Sequence, residues 1–215
     1  LVLPAIILSL FASIKVKSTF SKYSKISASL SGADAARRVL EANGVYDVKI
    51  ERVSGNLTDH FDPKTNIIRL SDAVYDSYSI SAVGVAAHEA GHAVQYAKGY
   101  SPIKIRTAIF PICNIGSKLS LPLLLIGLIF NFSILMSLGV IFFGAALIFQ
   151  LATLPVEFNA SSRALGAIRD CGLLDYEQAI GARKVLSAAA MTYIAAFLVS
   201  LTQFLRLLVI TNRRR

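Results

Sequence analysis

Residues 119–154 read LSLPLLLIGLIFNFSILMSLGVIFFGAALIFQLATL, without one charged side chain. A helix needs about 20 consecutive apolar residues to cross the hydrocarbon of a bilayer, so this run is long enough for two passes. Asn131, between Phe130 and Phe132, is the polar turn between them. The first pass is then short unless it begins near Ile115 and carries Lys118 at its end. A tight transmembrane hairpin is the expected element. The composition agrees: 54% of residues are hydrophobic, 16% are charged and the mean hydropathy is positive, which is apolar for a soluble domain.

On the N-terminal side the chain opens with LVLPAIILSLFASIKV. Residues 1–14 are expected to be a truncated transmembrane segment rather than a cleaved signal peptide, because no basic region precedes the apolar run and no small-residue cleavage site follows it. Lys15, Lys17, Lys22 and Lys25 come next, so the positive-inside tendency puts the following segment in the cytoplasm. The hairpin returns the chain to that side. A last apolar stretch, Leu186 to Ile210, contains Thr192, Tyr193, Ser200, Thr202, Gln203 and Arg206. If it crossed, Arg213, Arg214 and Arg215 would end outside, against the same tendency. Either this helix lies along or partly within the membrane, or the tail is a tolerated exception.

The formal charge of +9 gathers beside the apolar segments. Anionic lipid is therefore the expected partner, at about 1 kcal/mol per Lys or Arg near the surface. No basic groove interleaved with aromatics is present, which argues against nucleic acid. Cys113 and Cys171 form neither a C-x-x-C pair nor a disulfide framework.

Between the apolar segments the patterns change. Gly32 to Ala42 has helical spacing and a stop at Asn43-Gly44. Val45 to Val53 alternates as a strand, Ser54-Gly55-Asn56 and Asp62 to Asn66 read as turns, and Ile67 to Leu70 reads as an edge strand able to hold an extended peptide by its backbone. The next helix is expected to start near Ser79 or Ser81 and to stop near Gly99. The resulting plan is a first membrane segment (1–14), a segment with a small sheet and the central helix (15–117), the hairpin (118–154), a helical segment (155–185), and an apolar helix with basic tail (186–215).

The central helix carries His88-Glu89-Ala90-Gly91-His92, an H-E-x-x-H pattern. At 3.6 residues per turn, positions four apart share a face, so both imidazoles can reach one zinc ion. Glu89 sits one step round the helix, where it can act as general base on water rather than as a ligand. The chain has three histidines, and two fall at this spacing among Ala86, Ala87, Ala93 and Gly91. Such small neighbours let another helix come close. A catalytic zinc has three protein ligands and an open position, so one more donor must arrive from elsewhere. Glu157 is the best candidate, in Pro155-Val156-Glu157-Phe158-Asn159-Ala160-Ser161. Pro155 suits a first helical turn, and Ala160, Ala164 and Ala167 make a small face. An exposed first-turn glutamate favoured by the helix dipole is the plainer alternative.

With these motifs in view the chain resembles the bacterial membrane neutral zinc metallopeptidases of YugP-like type, over nearly its whole length. The resemblance rests on Val16-Lys17-Ser18-Thr19-Phe20, Leu57-Thr58-Asp59-His60-Phe61-Asp62-Pro63, Gly84-Val85-Ala86-Ala87-His88-Glu89-Ala90-Gly91-His92-Ala93 and Pro155-Val156-Glu157-Phe158-Asn159-Ala160-Ser161. That family looks related to the group of the heat-shock membrane protease HtpX and the membrane prenyl-protein proteases. The resemblance implies a mainly α fold with a small β-sheet, an integral membrane zincin-like metallopeptidase of gluzincin type with a transmembrane hairpin. It implies one zinc ion on His88, His92 and Glu157, with Glu89 as base. An aspartate commonly stands in that group where Ser161 stands here, and Phe61 takes the place of a tyrosine.

His60 has three open roles: donor to a developing oxyanion, third ligand in place of Glu157, or anchor of the turn before Pro63. Tyr193 could stabilise an oxyanion or anchor at the interface, and Arg163 could do the former or pair with Glu157 or lipid phosphate. The expected function is hydrolysis of peptide bonds in membrane or juxtamembrane proteins. A zinc-stapled binding scaffold without chemistry is the competing reading; a transporter is poorly supported, because the hairpin has no ionisable residue to line a path.

Overall fold

The computed structural model describes residues 2–212; Leu1 and the basic tail of Arg213, Arg214 and Arg215, on which the charge argument above turned, lie outside the described residues. The elements run α1 (Leu3–Tyr23), α2 (Gly32–Ala42), β1 (Lys49–Val53), β2 (His60–Asp62), β3 (Ile67–Ser71), α3 (Ile80–Ala97), α4 (Ser101–Ile129), α5 (Ser133–Asp170) and α6 (Tyr176–Asn212). The chain is mainly helical with one small mixed sheet. Helices α1, α4, α5 and α6 are each long and apolar enough to cross a membrane. The chain divides into two compact units.

The apolar unit comprises the chain to Ala12, Ser101–Pro155 and the chain from Thr192. Its centre is the α4–α5 hairpin. Small residues bring the two backbones together: a Cβ on Gly127 would stand 2.6 Å from the Met136 nitrogen, and one on Gly139 would stand 2.9 Å from the Leu124 nitrogen. Close backbone approach of this kind is how helices associate where no water drives burial. Ser120 Oγ donates to the Gly139 carbonyl at 2.9 Å, and Gln150 Nε2 donates to Ser200 Oγ on α6 at 2.8 Å. The turn is where the sequence puts it. Asn131 adopts φ 56°, and the Phe132 N–H closes onto the Gly127 carbonyl at 2.9 Å. The first arm starts at Ser101, well before the expected Ile115, so it takes in Lys104, Arg106 and Lys118.

The second unit comprises Ser13–Tyr100 and Val156–Met191. Its core joins Ala36, Val39 and Leu40 of α2, Ile68 and Leu70 of β3, Val83, Ala86, Ala87, Ala90 and Val94 of α3, Ala164 and Ile168 of α5, and Ala182 and Val185 of α6. Helices α2, α3 and α5 end alike. Gly44, Gly99 and Gly172 each take positive φ, and the N–H of the residue after each bonds back to Leu40, Gln95 and Ile168 respectively. This six-to-one closure satisfies a carbonyl that the helix end would leave open.

Sequence expectations for two parts of the fold, the sheet and α5, are corrected. Ile67 to Leu70 is not an edge: the sheet order is β1-β3-β2, with β3 parallel to β1 and antiparallel to β2. Ile68 and Leu70 are fully buried, and a strand with such side chains is protected best between two others. The free edges belong to β1 and to the short β2. The strand predicted from Val45 begins only at Lys49, because Val45 is used in closing α2. Second, no helix starts at Pro155; α5 runs through it without a break. The proline removes one N–H from the helical ladder, at a typical cost of about 3 kcal/mol. The apolar run before it and the buried alanine face after it keep both sides helical.

Candidate metal centre

Helix α3 begins at Ser79, whose side chain accepts from the Ala82 N–H at 3.3 Å. Four residues apart on this helix, His88 and His92 stand one turn apart on a single face, their rings edge to face with centroids 4.7 Å apart. Helix α5 lies against the same stretch. A Cβ on Gly91 would meet the Ala160 carbonyl oxygen at 2.8 Å, so the two helices touch backbone to backbone. Nothing larger than glycine leaves room for that approach.

The contact delivers Glu157 to the histidines. It is 3% exposed, and its Oε2 stands 3.3 Å from His88 Nε2 and 3.5 Å from His92 Nε2. One ligand atom from each of the three residues falls within 4.8 Å of the other two. Oε2 has no hydrogen-bond partner among the described residues. A buried carboxylate oxygen left open between two imidazole nitrogens is the donor set that a zinc site uses, and His-His-Glu suits zinc. The electrostatics favour a cation here: burial pushes the His92 ring toward neutrality, but Glu157, Glu89 and Gln95 together outweigh it and raise the pKa.

Glu89 is held apart from this trio. Its Oε2 accepts a hydrogen bond at 3.0 Å from the backbone N–H of Phe61 in β2. Phe61 is paired with Ile68 of β3. An N–H turned outward to Glu89 makes this a position where the antiparallel ladder has no hydrogen bond. The free edge of β2 therefore faces α3. His60, next along β2, is exposed and its Nδ1 lies 2.8 Å from the Thr58 carbonyl, a contact that orders the preceding turn. Tyr193 is on α6 in the apolar unit.

Other side chains complete the surroundings. Ser161 Oγ lies 3.1 Å from His88 Nδ1, so the hydroxyl reaches the imidazole although it stands where an acid was expected. Gln95 Oε1 lies 3.0 Å from His92 Nδ1. Arg163 Nε donates to Asn159 Oδ1 at 2.7 Å, and its guanidinium stands over the Tyr100 ring, 5.8 Å from the centroid. Sequence reasoning passed over Gln95, yet a signal was available: it lies three residues after His92 and seven after His88, on the same helical face. The Phe61 contact left no signal, since it is made by main chain.

Two helices thus bring two imidazoles and a carboxylate together as a candidate metal site, beside a second carboxylate held off them. The whole of residues 1–212 matches the family model described as "Putative neutral zinc metallopeptidase", and the chain belongs to that family. It is 50% identical over 212 residues to the "Putative membrane protease YugP" of Bacillus subtilis (strain 168), covering 98% of this chain and 94% of that protein. No solved structure matches.

Proposed function

We propose that the protein is a membrane-embedded zinc endopeptidase of gluzincin type, with His88, His92 and Glu157 as ligands and Glu89 as general base. The observation that carries this reading is the convergence of those three donors from α3 and α5, with Glu89 on the same helix engaged elsewhere. Zinc, when bound, supplies a Lewis acid that lowers the pKa of water toward about 7 and polarises a carbonyl. Glu89 does the proton work. With Oε2 held by Phe61, Oε1 takes the proton of the attacking water and returns it to the leaving amine. An edge strand, β1 or β2, rather than the central β3, is the backbone that an extended substrate would meet. His60 would donate to the developing oxyanion.

The substrates are proteins or peptides in or beside the membrane. Glu157 stands three residues after the charge-free run, on the helix that carries much of it, and chains in the same bilayer reach such a site at high effective concentration. Anionic lipid is the surrounding partner, nucleic acid is none, and Lys15, Lys17 and Lys22 in the second half of α1, with Lys25 just after it, favour a cytoplasmic site.

The test is cleavage of an unstructured protein by detergent-purified, zinc-loaded chain, native against Glu89→Gln at matched zinc content. Loss of about 10²–10⁴-fold in rate with zinc retained supports the base. Equal cleavage by both overturns it, and a chain that holds zinc but cleaves nothing favours the scaffold reading.

A further inference from the structure

Gln95 is fully buried and its amide makes contacts at both ends. Nε2 donates to the Val156 carbonyl oxygen at 2.8 Å and to Asn159 Oδ1 at 3.0 Å, while Oε1 lies 3.0 Å from His92 Nδ1. The sense of each bond is fixed from outside. A main-chain carbonyl only accepts, so the Gln95 atom facing Val156 must be the nitrogen. Arg163 reaches Asn159 Oδ1 at 2.7 Å, and a guanidinium only donates, so Asn159 turns its oxygen to both Arg163 and Gln95. With its NH₂ group committed there, Gln95 can offer His92 only a carbonyl oxygen. The proton of a neutral His92 therefore sits on Nδ1. The Nε2 lone pair is left on the side of Glu157 Oε2, 3.5 Å away. His88 is not constrained in this way, because the Ser161 hydroxyl can donate or accept.

We infer that Gln95 is a positioning residue for the metal centre: it selects the His92 tautomer whose Nε2 is open to zinc and ties α3 to the stretch of α5 that carries Glu157. Both of its acceptors on α5, Val156 and Asn159, flank that glutamate. Arg163 and the Val156 carbonyl set the polarity of the chain at its far end, so the tautomer is decided by groups outside the proposed ligand set. This inference rests on the proposed His88–His92–Glu157 site.

Two measurements test it. The first is the ¹⁵N spectrum of histidine-labelled, metal-free chain in detergent, at a pH where the rings are neutral, with the His92 signals assigned by His92→Ala. A protonated Nδ1 and a bare Nε2 are expected, and the opposite tautomer overturns the inference. This readout needs no Gln95 variant to fold. The second is zinc affinity by chelator competition for the native chain and Gln95→Met, which fills similar space without hydrogen bonds. A loss of 10–100-fold is expected, the usual effect of removing a group that orients a metal-bound histidine. Affinity within twofold of native shows a packing role only and overturns it. A native chain that takes up no zinc overturns both this inference and the proposed function, whereas native uptake matched by Gln95→Met overturns this inference alone.

Discussion

Asp59 sits where its charge is disfavoured: burial raises its pKa above the usual 3.8, and the nearby Glu89 pushes in the same direction. Its carboxylate still accepts from the Ser71 N–H at 2.7 Å and from the Ser71 hydroxyl at 3.1 Å, which pins the loop before β2 to the end of β3. A carboxyl whose folded pKa lies above its unfolded value contributes most below the unfolded value, and that contribution is lost as pH rises through the folded one. Ionised Asp59 is therefore a cost at neutral pH. Asparagine can keep both bonds, its oxygen accepting from the N–H and its NH₂ donating to the hydroxyl, with no charge to bury. Asp59→Asn should melt at or above the native temperature at pH 7, and the difference should vanish near pH 4. A lower melting point at pH 7 would show that the negative charge itself is required. Asp62 behaves oppositely: Thr65, Lys64 and Arg69 hold its carboxylate down to about 2, so the turn it anchors stays ionised through the same range.

At the scale of elements, the site depends on how closely α3 and α5 approach. Gly91→Ala would set a Cβ 2.8 Å from the Ala160 carbonyl oxygen, a main-chain atom that cannot swing aside. The helices must part by several tenths of an ångström, at a typical overpacking cost of about 1–3 kcal/mol. The expected result is a lower unfolding midpoint together with weaker zinc binding in the fraction that stays folded; native-like values for both would show that this contact does not set the spacing. Much of this packing was legible in the sequence. Gly91 and Ala93 on one helix and Ala160 and Ala164 on the other announce a close pair, Ser79 and Gly99 mark the ends of α3, and Asn131 marks the hairpin turn. What was not legible has physical causes. The order of a sheet is decided by burial of both strand faces against distant segments, so Ile67 to Leu70 could be recognised as a strand but not as the central one. Pro155 usually marks a helix start, and only the packing on either side keeps α5 continuous there. The hydrogen bond from Phe61 to Glu89 comes from main chain, which no residue type encodes.

For the whole molecule, four helices among the described residues are long and apolar enough to cross a membrane, and three donors separated by up to 69 positions in the chain converge in the second unit. The central claim is that these three, and no other set, hold a zinc ion with a position left open for chemistry. Zinc-edge X-ray absorption of the loaded chain tests it most directly, because it reads the atoms around the metal. The account predicts one ion per chain with two imidazole nitrogens at about 2.0–2.1 Å, carboxylate oxygen at about 2.0–2.2 Å and a further light atom in the fourth position. A third imidazole would move the ligand role from Glu157 to His60, and sulfur at about 2.3 Å would place the metal at Cys113 or Cys171; either result contradicts the account.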